Sequence, residues 1–278
     1  MEWRNGERSW ITARGRRLEA RAWGGSPAVK PAIVLLHEGL GSLGLWRSFP
    51  EKLAERTGHC VFAYSRAGYG QSDPAGQPWP LDFMSREAVE ILPEVLDAIG
   101  FKRGILLGHS DGASIAAIYA GSVKDFRMRG LCLISPHFFT EPMGLAAIAE
   151  TKALFENGGL RSGLAKHHAD VDGVFRGWSG VWLDPAFKSW TIVDAIAYIR
   201  VPVLAIQGLD DQYGTLAQIE ALVNGSYAPV DVELFENCKH SPHIEQPERT
   251  LAVVSDFLAR LGRIEAARIE VSPERNLQ

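Results

Sequence analysis

The sequence predicts an α/β fold, with a mostly parallel central sheet and helices on both of its faces. Short, continuously apolar runs recur along the 278-residue chain, and segments of helical periodicity lie between them. A continuously apolar run is typical of a strand that is buried on both faces, as the strands of a parallel sheet are. Strands that alternate with helices favour parallel pairing through helical crossovers.

The predicted elements follow one another in a simple order. A hairpin comes first, with strands at 9–12 and 18–23 joined by a turn at 14–16. Buried strands follow at 32–36, 60–64, 104–107, 131–134 and 203–206, and a last strand is expected at 230–235. Helices are predicted at 49–56, 84–99, 113–120, 216–223 and 250–261.

One segment, residues 138–199, breaks this alternation. It contains no clear buried strand, only helix-like pieces and many aromatic residues. A loop of this length would be unusual within a compact domain. We therefore expect a mainly helical cap over one end of the sheet, and a core formed by residues 1–137 and 200–278.

The composition excludes several classes of function. Lys and Arg number 29 against 33 Asp and Glu, with no basic block, so nucleic acid is not a predicted partner. No apolar run approaches the roughly 20 residues of a membrane helix, and residues 1–8 contain no apolar stretch for a secretory signal. Cys60, Cys132 and Cys238 form no Cys-x-x-Cys pair, which argues against a disulfide framework or a zinc site.

These observations favour a reduced cytoplasmic protein that acts on a small molecule and needs neither a metal nor another cofactor. The sequence leaves the oligomeric state open, a homodimer included.

A candidate nucleophile lies at residues 108–112, which read Gly-His-Ser-Asp-Gly between a predicted strand and a predicted helix. Gly-x-Ser-x-Gly in this context forms a sharp turn that exposes the serine hydroxyl at the carboxyl end of the sheet. Serine is a weak nucleophile and needs a base that is oriented by a third group. Polar clusters follow two later strands, with Asp210 and Asp211 in the first and His240 in the second.

The chain resembles α/β-hydrolases, and in particular the capped branch that includes esterases, C–C bond hydrolases and dehalogenases. The matching segments are residues 36–39, 68–72, 108–112, 208–211 and 240–247. The resemblance implies that Ser110 is the nucleophile, that His240 is the general base and that Asp211 orients the histidine. Asp210 is the alternative acid, and Asp211 could instead cap the next helix. Dehalogenases and epoxide hydrolases of this branch carry Asp at the nucleophile position, so serine favours acyl transfer.

Acyl transfer also requires two preorganised donors for the oxyanion. The geometry of the turn provides the backbone N–H of Asp111, and the resemblance implies the N–H of Gly39 as the second donor. Relatives usually carry His-Gly where this chain has His-Glu, so Glu38 is unusual. Glu38 could bind a substrate or anchor the cap, but a salt bridge with Arg47 or Arg66 is the favoured interpretation.

Further substrate contacts rest on position alone. The candidates are Glu38, Trp46, His109, Phe138, Trp178, Trp182 and Tyr213. For each cap aromatic, packing in the core of the cap is the favoured alternative. His243 resembles a structural histidine of the family, and residues 166–172 are interpreted as a solvated or hinge segment.

Three functions remain open at this point. A carboxylic-ester or thioester hydrolase for small to medium, apolar or aromatic substrates is favoured. The same triad could cleave C–C bonds in vinylogous diketones. A receptor on the same fold could retain the triad without turnover.

Overall fold

The computed structural model describes residues 3–270, in which eight strands form one sheet. Residues 1–2 of the opening segment and residues 271–278 of the second predicted core part lie outside the described residues. The strands are β1 (Ser9–Ala13), β2 (Arg16–Trp23), β3 (Ala32–Leu36), β4 (Cys60–Tyr64), β5 (Gly104–His109), β6 (Met128–Ile134), β7 (Val203–Gly208) and β8 (Val230–Phe235). Their order in the sheet is β1-β2-β4-β3-β5-β6-β7-β8. Strand β2 pairs antiparallel with β1 and β4, and the other pairs are parallel, which confirms the predicted fold class.

The helices connect these strands on both faces of the sheet. They are α1 (Phe49–Thr57), α2 (Phe83–Arg86), α3 (Leu92–Ala98), α4 (Asp111–Ser122), α5 (Pro142–Glu156), α6 (Arg161–Leu164), α7 (Val171–Trp182), α8 (Val193–Ile196), α9 (Leu216–Gly225), α10 (Pro242–Glu245) and α11 (Pro247–Glu270). Short 3₁₀ turns lie at Leu43–Trp46 and Pro185–Ser189. None of the helices within residues 3–270 is long and apolar enough to cross a membrane.

The single helix predicted at 84–99 is wrong in detail. The structure divides it into α2, a π-helical turn at Glu87–Ile91, and α3. Pro93 lies in the first turn of α3. Proline has no N–H to donate to the preceding turn, so the regular α-helical ladder is interrupted before it.

Two apolar cores lie on opposite faces of the sheet, as the alternation along β3 shows. Ala32, Val34 and Leu36 belong to the core that α4 covers, whereas Ile33 and Leu35 belong to the core that α1 and α11 cover. Successive side chains of a strand point to opposite faces, so β3 is buried from both sides. Strand β3 is therefore packed against a core along its whole length.

Residues 138–199, here called the cap segment, connect β6 to β7. They contain α5, α6, α7, the second 3₁₀ turn and α8, and one isolated antiparallel bridge joins Phe139 to Thr191. The boundaries of a separate cap domain remain a prediction. Helix α7 approaches the carboxyl ends of the central strands, where Trp182 reaches Asp111.

Candidate active site

Ser110 occupies a strained turn between β5 and α4. Its backbone has φ 53° and ψ −119°, a conformation that residues other than glycine rarely adopt. A Cβ atom on Gly108 would lie 2.2 Å from the carbonyl oxygen of Gly112, and one on Gly112 would lie 2.0 Å from that of Leu36. Only glycine fits at both positions, so the motif is required by the close packing of the turn against β3.

His240 and Asp211 form a close pair at the ends of β8 and β7. The Nδ1 atom of His240 lies 2.9 Å and 2.8 Å from the two carboxylate oxygens of Asp211. The carboxylate also accepts hydrogen bonds from Nε2 of Gln207 and the N–H of Tyr213, each at 2.8 Å. Burial favours the neutral acid, but His240 and the N–H of Tyr213 lower the pKa of Asp211 to about 2. An ionised Asp211 holds the proton on Nδ1 and leaves Nε2 of His240 as the basic atom.

The neighbouring acid is placed differently. Asp210 is exposed, and its backbone N–H donates to the carbonyl of Cys238 at 2.9 Å. Helix α9 is capped by Thr215, whose hydroxyl accepts the N–H of Ala217 at 3.1 Å. The structure therefore brings Asp211 to His240, and neither Asp210 nor an N-cap interpretation of Asp211 fits this geometry.

Tyr213 lies directly against the histidine. Its ring meets that of His240 edge to face, with the ring centroids 4.8 Å apart. The Tyr213 hydroxyl is 2.8 Å from the hydroxyl of Thr151 on α5. Tyr213 therefore joins the cap segment to the side of the candidate base.

His109 connects the nucleophile turn to the His240 loop. Its Nε2 atom lies 2.7 Å from the carbonyl oxygen of His240, and its Nδ1 atom lies 3.5 Å from the carboxylate of Glu38. Burial disfavours ionisation of Glu38, but the nearby His109 outweighs it and lowers the pKa of that carboxyl. The predicted salt bridge from Glu38 to Arg47 or Arg66 is wrong, because the carboxylate of Glu38 faces the ring of His109 instead. Arg66 instead binds the backbone carbonyl of Glu38.

The oxyanion loop, residues 37–41, is held through its carbonyl groups. The Arg66 guanidinium donates to the carbonyls of His37 and Glu38, the second at 3.1 Å, and the Tyr69 hydroxyl donates to that of Gly39 at 3.0 Å. The C=O and the following N–H of a trans peptide point in opposite directions. Arg66 therefore directs the N–H of Gly39 away from itself.

Helix α7 covers both candidate oxyanion donors. A Cβ atom on Gly39 would lie 2.0 Å from Nε1 of Trp178, so this indole packs directly on the glycine. Trp182, one turn later, donates from Nε1 to the carboxylate of Asp111 at 3.2 Å. Asp111 begins α4, so its N–H has no acceptor within the helix.

Two predicted substrate contacts belong to the core instead. Trp46 is 1% exposed, stacks on Phe49 and lies 4.9 Å from the ring of His243, on the face that α1 and α11 cover. Phe138 is fully buried, and its N–H donates to the side chain of Gln218. The expectation that Trp46 faces the site is therefore wrong, because its ring packs on Phe49 and His243 in the core. The contacts of His243 with Trp46, Phe49 and His109 fit its structural interpretation.

His137 is a further site residue that was not predicted from the sequence. Its ring lies 5.6 Å from that of His240 and 5.4 Å from that of Trp182. Burial, together with the nearby His240, lowers the pKa of His137 to about 3, so the ring is neutral at physiological pH. The signal was present, because His137 closely follows the end of β6, as His240 follows β8.

The interpretation of residues 166–172 as solvated is wrong for His168. This residue is buried, its Nδ1 accepts the N–H of Gly70 at 3.0 Å, and its Nε2 lies 3.0 Å from the carbonyl oxygen of Leu40. His168 thus ties the cap segment to the oxyanion loop. Among the described residues, no group of three or more His, Cys, Asp or Glu is arranged to hold a metal ion.

Comparisons with known proteins identify the family of the chain. A family model described as the alpha/beta hydrolase family matches residues 33–253. The human 1-acylglycerol-3-phosphate O-acyltransferase ABHD5 (Homo sapiens) is 33% identical over 118 residues, which cover 42% of this chain and 33% of that protein. The chain thus spans about a third of the length of the curated relatives that it matches first.

Other relatives are covered over most of their length. The monoacylglycerol lipase abhd6-B of Xenopus laevis is 22% identical over 295 residues, which cover 91% of this chain and 85% of that protein. The solved structure of the esterase EaEST from Exiguobacterium antarcticum superposes with a TM-score of 0.73 at 18% identity, covering 90% of this chain and 99% of the other. At this identity the superposition shows a shared fold.

Proposed function

The chain belongs to the alpha/beta hydrolase family, and from this premise we propose that it is a serine hydrolase of carboxylic esters or thioesters. Its substrates carry a small to medium acyl group that is apolar or aromatic in part. One observation carries the proposal. His109, in the strained turn of Ser110, contacts the backbone carbonyl of His240 through Nε2, and His240 in turn is paired with Asp211.

The first half of the proposed reaction forms an acyl-enzyme. The Oγ atom of Ser110 attacks the carbonyl carbon while Nε2 of His240 takes the hydroxyl proton. The electron pair of the C=O bond moves to the oxygen, which accepts hydrogen bonds from the N–H groups of Gly39 and Asp111. Asp211 stabilises the imidazolium that forms. The bond to the leaving group then breaks, and His240 gives its proton to the leaving oxygen or sulfur.

The second half repeats these steps with water. Nε2 of His240 takes a proton from a water molecule, whose oxygen attacks the acyl carbon. The tetrahedral intermediate collapses, the bond to Oγ of Ser110 breaks, and His240 returns the proton to the serine. The carboxylic acid leaves, and the enzyme is restored.

The orientation of the oxyanion loop supports this chemistry. The guanidinium of Arg66 withdraws electron density from the Glu38 carbonyl, which makes the following N–H a stronger donor. Trp178 and Trp182 keep bulk water from both donors, and an electrostatic interaction is stronger in such surroundings. Arg66 is therefore a positioning residue for the N–H of Gly39.

The test is steady-state hydrolysis of p-nitrophenyl esters from acetyl through octanoyl to benzoyl, with matched thioesters, by the wild type and by Ser110→Ala. We expect sustained turnover that falls by about 10⁴ or more in the variant, and a fluorophosphonate adduct on Ser110 by mass spectrometry. Unaltered turnover in Ser110→Ala would overturn the assignment of the nucleophile. An adduct on Ser110 without turnover of any ester or thioester would contradict the proposed bond class and favour a C–C substrate or a receptor.

A further inference from the structure

The carboxylate of Asp111 has one oxygen that nothing in the described protein satisfies. Asp111 is 1% exposed. Its Oδ1 atom accepts a hydrogen bond from Nε1 of Trp182, whereas Oδ2 is buried and has no hydrogen-bond partner among the described residues. An unpaired buried carboxylate oxygen is costly, because it loses its hydration without a replacement. Such an atom calls for a partner that enters from outside.

Asp111 lies beside the candidate nucleophile, on the oxyanion side of the candidate site. It directly follows Ser110, and its own N–H is a proposed oxyanion donor. Arg66, Glu38 and His109 influence the pKa of its carboxyl. Glu38 is part of the oxyanion loop, and Arg66 binds the carbonyl groups of that loop. The leaving group, in contrast, must lie at His240.

The carboxyl of Asp111 is ionised at neutral pH and above. Burial raises the pKa of Asp111 to about 6, against the opposing effects of Arg66 and of the Trp182 hydrogen bond. An ionised carboxylate only accepts hydrogen bonds. Its missing partner is therefore a donor.

We propose that Asp111 determines specificity, with Oδ2 accepting a hydrogen bond from a hydroxyl or ammonium group on the acyl chain, within two or three carbons of the carbonyl. The inference rests on the proposed function and deepens it. The substrate class becomes hydroxyacyl or aminoacyl esters and thioesters, with the indoles of Trp178 and Trp182 packing against the apolar remainder. An acyl group without a donor leaves Oδ2 buried and unpaired, so it is disfavoured in the transition state.

The test compares kcat/KM for p-nitrophenyl butanoate with the values for its 2-hydroxy, 3-hydroxy and 3-amino derivatives, each normalised to its uncatalysed rate. We expect the wild type to prefer at least one donor-bearing ester by about tenfold to a hundredfold. In Asp111→Leu this preference disappears. Equal values for all four esters in the wild type, or a preference that survives in Asp111→Leu, would overturn the inference.

A second variant, Asp111→Asn, distinguishes a hydroxyl donor from an ammonium donor. It also provides a test if Asp111→Leu does not fold. In Asp111→Asn an amide N–H can replace Oδ2. A substrate hydroxyl can accept from this N–H, whereas an ammonium group cannot. A hydroxyl ligand predicts a preference that is partly kept in Asp111→Asn, and an ammonium ligand predicts one that is lost. Full retention of a 3-amino preference would contradict a role for the carboxylate.

The dependence on pH gives a readout that a structural role would not produce. The ratio of kcat/KM for the preferred donor-bearing ester and the plain ester should fall as the pH decreases through about 6, because the protonated carboxyl no longer acts only as an acceptor. Effects on the catalytic steps that both esters share cancel in this ratio, and the other titratable or charged groups near Asp111 are Arg66, Glu38 and His109. A ratio that stays constant from pH 8 to pH 5 would contradict the inference.

Failure of this inference can be told apart from failure of the proposed function. Turnover of all four esters without preference leaves the serine hydrolase assignment standing and rejects the role of Asp111. If no ester is hydrolysed, calorimetry with Ser110→Ala still compares the binding of methyl 3-hydroxybutanoate and methyl 3-aminobutanoate with that of methyl butanoate. Tighter binding of either donor-bearing ester, lost in Ser110→Ala/Asp111→Leu, supports the role of Asp111, and equal binding of all three rejects it.

Discussion

The acid–base side and the oxyanion side of the candidate site are held in different ways. Asp211 takes its orienting bonds from Gln207 on β7 and from Tyr213 on the following loop, both within a few residues of it. The oxyanion loop is held by Arg66 and Tyr69, which follow β4 and lie about 30 residues away along the chain. The acid is therefore oriented by its own neighbours in the chain, whereas the oxyanion loop depends on packing between distant segments.

This difference predicts where the chain tolerates change. A local loop keeps its geometry if its own residues are kept. The oxyanion loop instead responds to substitutions at residues that contact neither the nucleophile nor the substrate, and also to the placement of α7. We therefore expect large losses of activity with little structural cost on the acid–base side, and smaller losses from remote positions on the oxyanion side.

The largest expected effect comes from removal of the base. His240→Ala should lower kcat by about 10⁵ to 10⁶, because Ser110 then lacks its proton acceptor. Steady-state ester hydrolysis measures this change. The double variant Ser110→Ala/His240→Ala should be no slower than either single variant, since the two residues act as a unit. A further large loss in the double variant would show that they act independently.

Removal of the orienting charge should have the next largest effect. Asp211→Asn should lower kcat by about 10⁴, because the neutral amide no longer fixes the tautomer of His240. Asp210→Asn is the matched control, an adjacent exposed aspartate with the same change of charge, and it should stay within about twofold. A greater loss in Asp210→Asn than in Asp211→Asn would reverse the assignment of the acid.

The oxyanion side should give a smaller effect that is confined to kcat. Arg66→Met frees the Glu38 carbonyl and misdirects the N–H of Gly39, which should lower kcat by about 10² to 10³, as the loss of one oxyanion donor does. KM should change little, and Arg66→Lys should recover part of the rate. Tyr69→Phe, which removes one neutral bond to the Gly39 carbonyl, is the graded control, with a loss of about tenfold or less. Equal changes in kcat and KM for Arg66→Met, with a lowered melting temperature, would indicate general loss of structure.

The smallest expected effect concerns stability. The pKa of His137 is lowered from 6.5 to about 3 by burial and the nearby His240, so between these values the unfolded chain binds a proton that the folded protein excludes. The free energy of unfolding therefore decreases as the pH falls from 6.5 towards 3, by about 1.4 kcal/mol per pH unit for this group. His137→Gln should reduce that slope in urea unfolding between pH 7 and pH 4. An unchanged slope in His137→Gln would show that another group dominates.

Much of the fold is predictable because its strands are buried on both faces. The run at 32–36 stands out in the sequence because the two cores take alternate residues of β3, so that every residue of the strand is apolar. The helix at 84–99 was less well predicted, since the average periodicity conceals the interruption before Pro93. The pattern of apolar residues thus predicts which segments are buried better than it predicts whether a helix is continuous.

Some residues of the candidate site can be predicted from the sequence, and the contacts of others depend on the fold. Ser110, Asp211 and His240 follow strand ends, a position that can be read from the sequence alone. The partner of Glu38 could not be found in this way, because His109 lies 71 positions further along the chain and only the fold brings the two together. Trp46 was misplaced for the same reason, since its position after the oxyanion loop does not determine which face of the sheet its ring covers.

The backbone contacts at Gly108 and Gly112 also determine how such a protein can be re-engineered. Both glycines touch main-chain atoms, which cannot move aside as a side chain does. A mutant library that randomises these two codons will consist mostly of inactive clones. Around Trp178 and Trp182 the contacts are made by side chains, and substitutions there change the shape of the covering surface without bending the nucleophile turn. Diversity for altered selectivity is therefore best introduced on α7.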